Sequence, residues 1–180
     1  LNMGGMYNVM NAVASVSVAN LLEISSCKII DGINTFMGIR RRFETHISSD
    51  NLVFIDDYAH HPKEVMETIN AVKQMYPERK ITVVFQPHLH SRTKDFMNEF
   101  AHSLSLADEL ILLDIYGARE EEIEGVSSQI LLNKCKSTKK ELSSLDCIVE
   151  NIVDKEIDVL LTLGAGDIST IVEPLKVKLS

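Results

Sequence analysis

Leu52-Val53-Phe54-Ile55-Asp56-Asp57-Tyr58-Ala59-His60-His61-Pro62 is the stretch that decides how this chain folds. A short apolar run ends in two carboxylates, a phenol and two imidazoles, and Pro62 opens a helix-like stretch from Lys63. That order reads as a buried strand, a turn and a helix, because proline suits a first helical position and a bounded apolar run suits a sheet interior. A turn at the carboxyl end of a strand is where open α/β sheets place their ligand crevices. A second polar cluster, Gln86-Pro87-His88-Leu89-His90-Ser91-Arg92-Thr93, follows the next apolar run, Ile81 to Phe85, so two successive strands deliver His and Arg to one rim.

Outward from there the order of strand, turn and helix repeats. Leu52 to Asp56 leads to Pro62 to Tyr76, Ile81 to Phe85 to Thr93 to Ser105, Leu110 to Ile115 to Ser127 to Lys136, and Asp158 to Leu163 to Asp167 to Leu179. Apolar strands alternating with helices predict an α/β fold with a mostly parallel, doubly wound sheet covered on both faces. Lys139 to Ile157 fits either element type, and Cys147-Ile148-Val149 is left open between strand and helix. Upstream the pattern changes. Val9 to Leu22 reads as a helix apolar on most faces, a second short helix spans Cys27 to Asn34, and Phe43 to Ile47 alternates like a half-buried strand. The break falls at Arg40-Arg41-Arg42, which places a domain boundary between residues 1–40 and 41–180.

Composition narrows the function classes. With 45% hydrophobic and 24% charged residues over 180 positions, the chain is an ordinary globular sequence. A formal net charge of −8 argues against nucleic-acid or acidic-membrane partners, because either needs a basic face to displace counterions. Three scattered cysteines suggest neither a disulfide framework nor a cysteine zinc site, which fits a cytoplasmic location. No apolar stretch reaches the ~20 residues of a membrane helix. The chain starts at Leu1 without an initiator Met, which suggests a fragment.

Two polar groupings invite chemistry. His60, His61, His88 and His90 beside Asp56 and Asp57 are residue types that ligate divalent metals, and a metal-dependent hydrolase is one reading of them. Adjacent histidines point in different directions, so ordinary strand-end or helix-cap roles are the alternative. Gly164-Ala165-Gly166-Asp167 joins the last strand to the last helix, where glycine permits close backbone approach and the helix start favours an anion. It lacks the third glycine of a dinucleotide fingerprint, and its plain reading is a tight turn with Asp167 capping the helix. No G-x-x-x-x-G-K-[ST] phosphate loop occurs.

Five segments together, Asn8-Val9-Met10-Asn11-Ala12, Arg41-Arg42-Phe43-Glu44, Asp56 to Pro62, Phe85 to His88 with Ser91-Arg92-Thr93, and Leu163 to Ile168, resemble the Mur ligases of peptidoglycan synthesis, in the family's order. Within the family the pattern is similar to the members that join L-alanine to UDP-N-acetylmuramate, and it matches their carboxyl-terminal part. The resemblance implies a Rossmann-like amino-acid-binding domain preceded by the helical tail of a central ATPase domain, with the phosphate loop upstream. It implies ATP and Mg as cofactors, activation of the muramoyl carboxylate as an acyl phosphate, and attack by the alanine amine. By similarity Asn8, with Asn11 close by, serves adenine, Arg41 or Arg42 the phosphates, and Asp57 the ribose. Tyr58, His60, His88 and Arg92 serve the alanine side, His60 and Arg92 being the expected catalytic residues, and no resident metal site is implied. The family often has Arg and an aromatic residue where this chain has Leu89 and His90, and His where it has Tyr7. Taken alone, the chain is expected to bind no cofactor tightly, to be inactive, and to self-associate through the helix from Val9. A module that binds a nucleotide or amino acid without chemistry is the reading from a different class, since a doubly wound sheet by itself implies no reaction.

Overall fold

A computed structural model describes residues 4–180. Two helices come first, α1 (Met6–Leu21) and α2 (Ser26–Thr35), followed by β1 (Glu44–Ser48), β2 (Val53–Asp57), α3 (Pro62–Met75) and β3 (Ile81–Phe85). Next come α4 (His90–Asp95), α5 (Met97–Leu104), β4 (Glu109–Leu112), α6 (Ser128–Lys134) and β5 (Lys139–Leu142). The chain closes with α7 (Leu145–Val153), β6 (Val159–Leu163), a 3-10 turn (Asp167–Ile171) and α8 (Val172–Leu179).

Six strands form one sheet in the order β1-β2-β6-β3-β4-β5, parallel except for β1, which runs antiparallel to β2 with an irregularity between Thr45 and Ile47. The α/β expectation holds, with a topological detail that sequence order hides. Strands β2 and β3 are not neighbours, because the last strand inserts between them, Ile55 pairing with Leu161 and Leu161 with Val83.

Alternation within the apolar strands explains both layers, since successive side chains leave a strand on opposite faces. Val53, Ile55, Val83, Phe85, Leu161 and Leu163 face one core with Val65, Ile69 and Val72 of α3, Phe100 of α5 and Leu131 of α6. Phe54, Val84, Ile111 and Leu160 face the other with Ile148 and Ile152 of α7, Ile168 and Leu175. Each such side chain contributes about 1.5–3 kcal/mol when fully buried, so the sheet centre orders itself. The helices after β2 and β6 pack on opposite faces, which opens a crevice at the carboxyl ends of these adjacent strands.

Three local expectations change. The helix expected over 93–105 is two, interrupted at Phe96 (φ −114°, ψ 24°), which lets α5 turn toward α3. The undecided 139–157 stretch holds an edge strand, β5, and a helix, α7. Cys147-Ile148-Val149 is helical because Leu145, Ile148 and Ile152 recur at helical spacing and bring Ile148 and Ile152 onto the second core. The last segment begins as a 3-10 turn before α8.

Helices α1 and α2 differ from the rest. Asn8 is the one buried residue of α1, α2 has none, and Met10, Val13, Val18, Leu21, Ile30 and Met37 are exposed. Among the described residues no helix is long and apolar enough to cross a membrane.

Candidate functional site

Three loops at the carboxyl ends of β2, β6 and β3 frame the crevice: 58–61, 164–166 and 86–89. Asp56 and Asp57 stand at its floor, both buried. Asp56 is fully engaged. Arg41 Nε donates to its Oδ2 at 2.8 Å and the Thr162 hydroxyl to its Oδ1 at 2.7 Å. The same guanidinium donates through Nη2 to the Gly164 carbonyl at 2.8 Å, so Arg41 ties β2 to the loop after β6.

Among the described residues the hydrogen-bond donors to Asp57 are all neutral. Its Oδ2 accepts from the Phe43 N–H at 2.7 Å and the Tyr7 hydroxyl at 3.1 Å, and its Oδ1 from the Ala59 N–H at 2.8 Å. Burial pushes this carboxyl above the ordinary aspartate range, against the pull of those three donors and of nearby Arg42. Burial, then the Asp57 charge, likewise raises the Tyr7 phenol. A carboxylate has about four acceptor sites, so Asp57 keeps capacity for one further hydroxyl. It faces a cavity of about 370 Å³ lined with Tyr7, Arg42, His61, Lys63, Glu64 and Thr68. Arg42 lies over the Tyr58 ring, 5.6 Å from its centroid. Asn8 is buried and donates to the Gly4 carbonyl at 2.7 Å, while Asn11, three residues on, is exposed.

The other side of the crevice gathers the histidines and the second arginine. His60 Nδ1 is 3.0 Å from the Tyr58 carbonyl and 3.4 Å from the Glu64 carboxylate, and its ring lies 6.2 Å from that of His88. Glu64 also accepts from the His60 and His61 N–H groups at 3.1 Å, closing the first turn of α3. Burial raises the Glu64 carboxyl, but those bonds and the His60 and Arg42 charges hold it below the usual range. His88 stacks on Tyr116 at 5.5 Å, and its Nδ1 meets Arg92 Nη1 at 3.3 Å. Burial, then the Arg92 and His60 charges, lowers the His88 imidazole, so Nδ1 is an acceptor for Arg92 near neutral pH. Among the described residues Arg92 forms no ion pair.

The structure therefore brings His60, His88 and Arg92 together, places Arg42 and Asp57 at the neighbouring cavity with Tyr58 between Arg42 and His60, and binds Arg41 into the floor. The four histidines do not share one centre. His61 turns edge-on to Phe96 at 4.8 Å, and His90 is buried against Gly117. Glu44, His46 and Asp56 are the one group with metal-ligand spacing among the described residues. Arg41 already neutralises Asp56 there, which makes a dication a poor occupant. Asp167 does not cap the following helix as expected; it accepts from the Gln86 side-chain amide, whose oxygen accepts from the Ile168 N–H. The loop's glycines are required. At Gly164 (φ +145°) a Cβ would sit 2.8 Å from the Gln86 carbonyl oxygen, and at Gly166 2.5 Å from the Gln86 side-chain oxygen.

Sequence reading missed Thr162, Tyr116 and Glu120. Thr162 is a polar residue inside a buried strand, a visible signal; Tyr116 and Glu120 sit in an acidic loop whose only cue was that it follows a strand.

The family described as Mur ligase, glutamate ligase domain, matches residues 41–167. The UDP-N-acetylmuramate--L-alanine ligase of Cytophaga hutchinsonii is 46% identical over 98% of this chain and 38% of its own length. Its counterpart in Parabacteroides distasonis is 47% identical over 94% of this chain and 37% of its own. The solved structure of UDP-N-acetylmuramate-alanine ligase from Thermotoga maritima superposes with a TM-score of 0.80 at 27% identity, covering 97% of this chain and 38% of that one. The chain thus spans under two fifths of the length of the curated relatives it matches.

Proposed function

The chain belongs to the Mur ligase family, and from that premise we propose that it supplies the amino-acid side of an ATP-dependent ligase joining L-alanine to UDP-N-acetylmuramate in the cytoplasm. Residues 41–180 are the carboxyl-terminal domain in this reading, and 1–40 the helical tail of the central ATPase domain. The exposed apolar faces of α1 and α2 support that division, since such faces are normally covered. The same faces are where the isolated chain would self-associate.

Arg92 carries the proposal. It is partly buried, held by a neutral acceptor and, among the described residues, in no ion pair, so a guanidinium fork is available to an incoming amino-acid carboxylate. Binding there places the alanine amine beside His60 and Tyr58. His60, which has Glu64 at 3.4 Å, is the group within reach to take a proton from that amine. Asp57 has one acceptor site left for a ribose hydroxyl, and Arg42, which among the described residues makes no close ion pair whereas Arg41 is paired with Asp56, is the cation offered to phosphate. Asn8 has its amide nitrogen turned to Gly4, so its oxygen is the atom left for adenine, with Asn11 beyond it. ATP, which the central domain would hold with Mg, would supply the phosphoryl group that turns a muramoyl carboxylate oxygen into a leaving group. This chain's part is to hold and orient the nucleophile. Alone it binds no cofactor tightly and forms no amide.

The full-length ligase tests this reading. ADP release should require both UDP-N-acetylmuramate and L-alanine, and the residues 1–180 alone should show none. Equal turnover without L-alanine would refute it.

A further inference from the structure

Segment 114–124 runs from the end of β4 past α4, and it is bonded to the rim at Tyr116 and at Glu120. The Tyr116 N–H donates to the Pro87 carbonyl at 2.8 Å and the Leu89 N–H to the Tyr116 carbonyl at 2.9 Å, so His88 and Tyr116 form a parallel bridge that prolongs β3 and β4 beyond the sheet. Tyr116 then stacks on His88 with ring planes at 28°, and its other side closes on Gly166, where an added Cβ would lie 2.8 Å from the tyrosine ring. Gly117 admits the His90 ring, 3.1 Å from where a Cβ would stand.

Farther along, the Glu120 carboxylate meets the amino end of α4. Its Oε2 accepts from the Ser91 N–H at 2.9 Å and its Oε1 from the Ser91 hydroxyl at 2.5 Å. Helix α4 has no capping side chain of its own, so the cap comes from this other segment. Arg92 is the residue immediately after Ser91.

Between the two attachments lies Leu89, held at φ +72° and ψ 132°, a conformation that a side chain with a Cβ rarely adopts. Such strain persists only where surrounding bonds over-determine the backbone, and it concentrates at positions whose geometry is used. Here the bonds are those from Tyr116 and from Thr93, whose N–H and hydroxyl both donate to the Leu89 carbonyl.

We propose that segment 114–124 is a strap that sets the amino-acid clamp, with Glu120 a positioning residue for Arg92 and Tyr116 one for His88. This rests on the assignment of Arg92 to the alanine carboxylate. Neither strap residue touches substrate. Glu120 fixes the first turn of α4 and hence the direction of the guanidinium, and Tyr116 fixes the imidazole that orients it.

The test is steady-state kinetics of the full-length ligase carrying Glu120→Ala or Glu120→Gln, with each substrate varied in turn. A displacement of the clamp by a fraction of an ångström predicts a rise of about tenfold in KM for L-alanine in Glu120→Ala, with KM for ATP and for UDP-N-acetylmuramate within about twofold of wild type. Glu120→Gln keeps an oxygen for the Ser91 N–H and should recover most of the loss, which a purely electrostatic role would not allow. Unchanged alanine KM in Glu120→Ala overturns the proposal, and so does a parallel rise for all three substrates, which would mean general loosening. Should Glu120→Ala fail to fold, Tyr116→Leu is read in its place by the same criteria. A wild-type ligase that makes no use of L-alanine would instead refute the parent assignment, so the two failures are told apart by the wild-type lane.

Discussion

Arg41, at the floor of the crevice, and Arg92, at its rim, are held in opposite ways. Arg41 is engaged by a buried carboxylate and a backbone carbonyl, with its side chain 14% exposed. Arg92 meets a neutral imidazole and, among the described residues, no carboxylate. The same contrast recurs in Asp56, neutralised by Arg41, and Asp57, which has only neutral donors and a carboxyl pushed up by burial. Charges satisfied from within hold the strand ends together. In the proposed function the groups left with unused capacity are those a ligand completes, because a partly buried charge without a partner is costly until one arrives.

The largest expected effect is on the closed side. Arg41→Ala leaves Asp56 as an uncompensated buried charge, and urea unfolding of this chain should show a loss of about 3 to 5 kcal/mol. A loss below about 1 kcal/mol would mean that Asp56 is not held as described.

Next in size is Gly164→Ala. The substitution must take a positive φ and push against the Gln86 carbonyl, which costs about 1 to 3 kcal/mol in the same measurement. Indifference there would show that the loop relaxes freely.

A subtler effect separates the two arginines by pH. The folded His88 lies below its ordinary value of 6.5, with burial the first cause, Arg92 and His60 the next, and Glu120 opposing. A depressed folded value means that the native state binds protons less readily than the unfolded one. His88 therefore contributes stability that is present above 6.5 and is lost as pH falls through the folded value. Histidine NMR titration of this chain should find His88 below 6.5, moving upward in Arg92→Ala because one depressing cation is gone. In Arg41→Ala it should stay. Movement in both would erase the distinction between the sides.

The smallest effect completes the contrast. Arg92→Ala should change the stability of this chain by no more than about 1 kcal/mol, because its side chain makes one partly buried hydrogen bond, to His88, and no ion pair among the described residues.

Much of the fold is legible in the sequence because the central strands are apolar throughout, and such runs have few other places to go. The insertion of β6 between β2 and β3 is not, since strand order depends on which face each crossover takes. Strand β5 escapes for another reason. Its residues Lys139, Lys140, Glu141 and Leu142 are all exposed, so this edge strand carries no hydrophobic signal and is set by its pairing with β4. The break at Phe96 involves neither proline nor glycine, and only packing against α3 reveals it.

At the site, residue types announced the rim but not the division of labour within it. Arg41 and Arg42 are adjacent and chemically alike, and their separation depends on Asp56 of β2 meeting Thr162 and Gly164 at the end of β6. Tyr116 and Glu120 act through contacts 28 to 29 residues distant, which no local pattern encodes.

In the proposed function the open guanidinium of Arg92 receives the amino acid. The most direct measurement of this is kcat/KM for L-alanine in the full-length ligase carrying Arg92→Ala, with ATP and UDP-N-acetylmuramate saturating. Loss of a buried charged pair worth ~2 to 5 kcal/mol predicts a fall of roughly thirtyfold or more, only partly restored by Arg92→Lys, which lacks the second parallel bond. Unchanged alanine kinetics in Arg92→Ala would mean that the amino-acid carboxylate binds elsewhere.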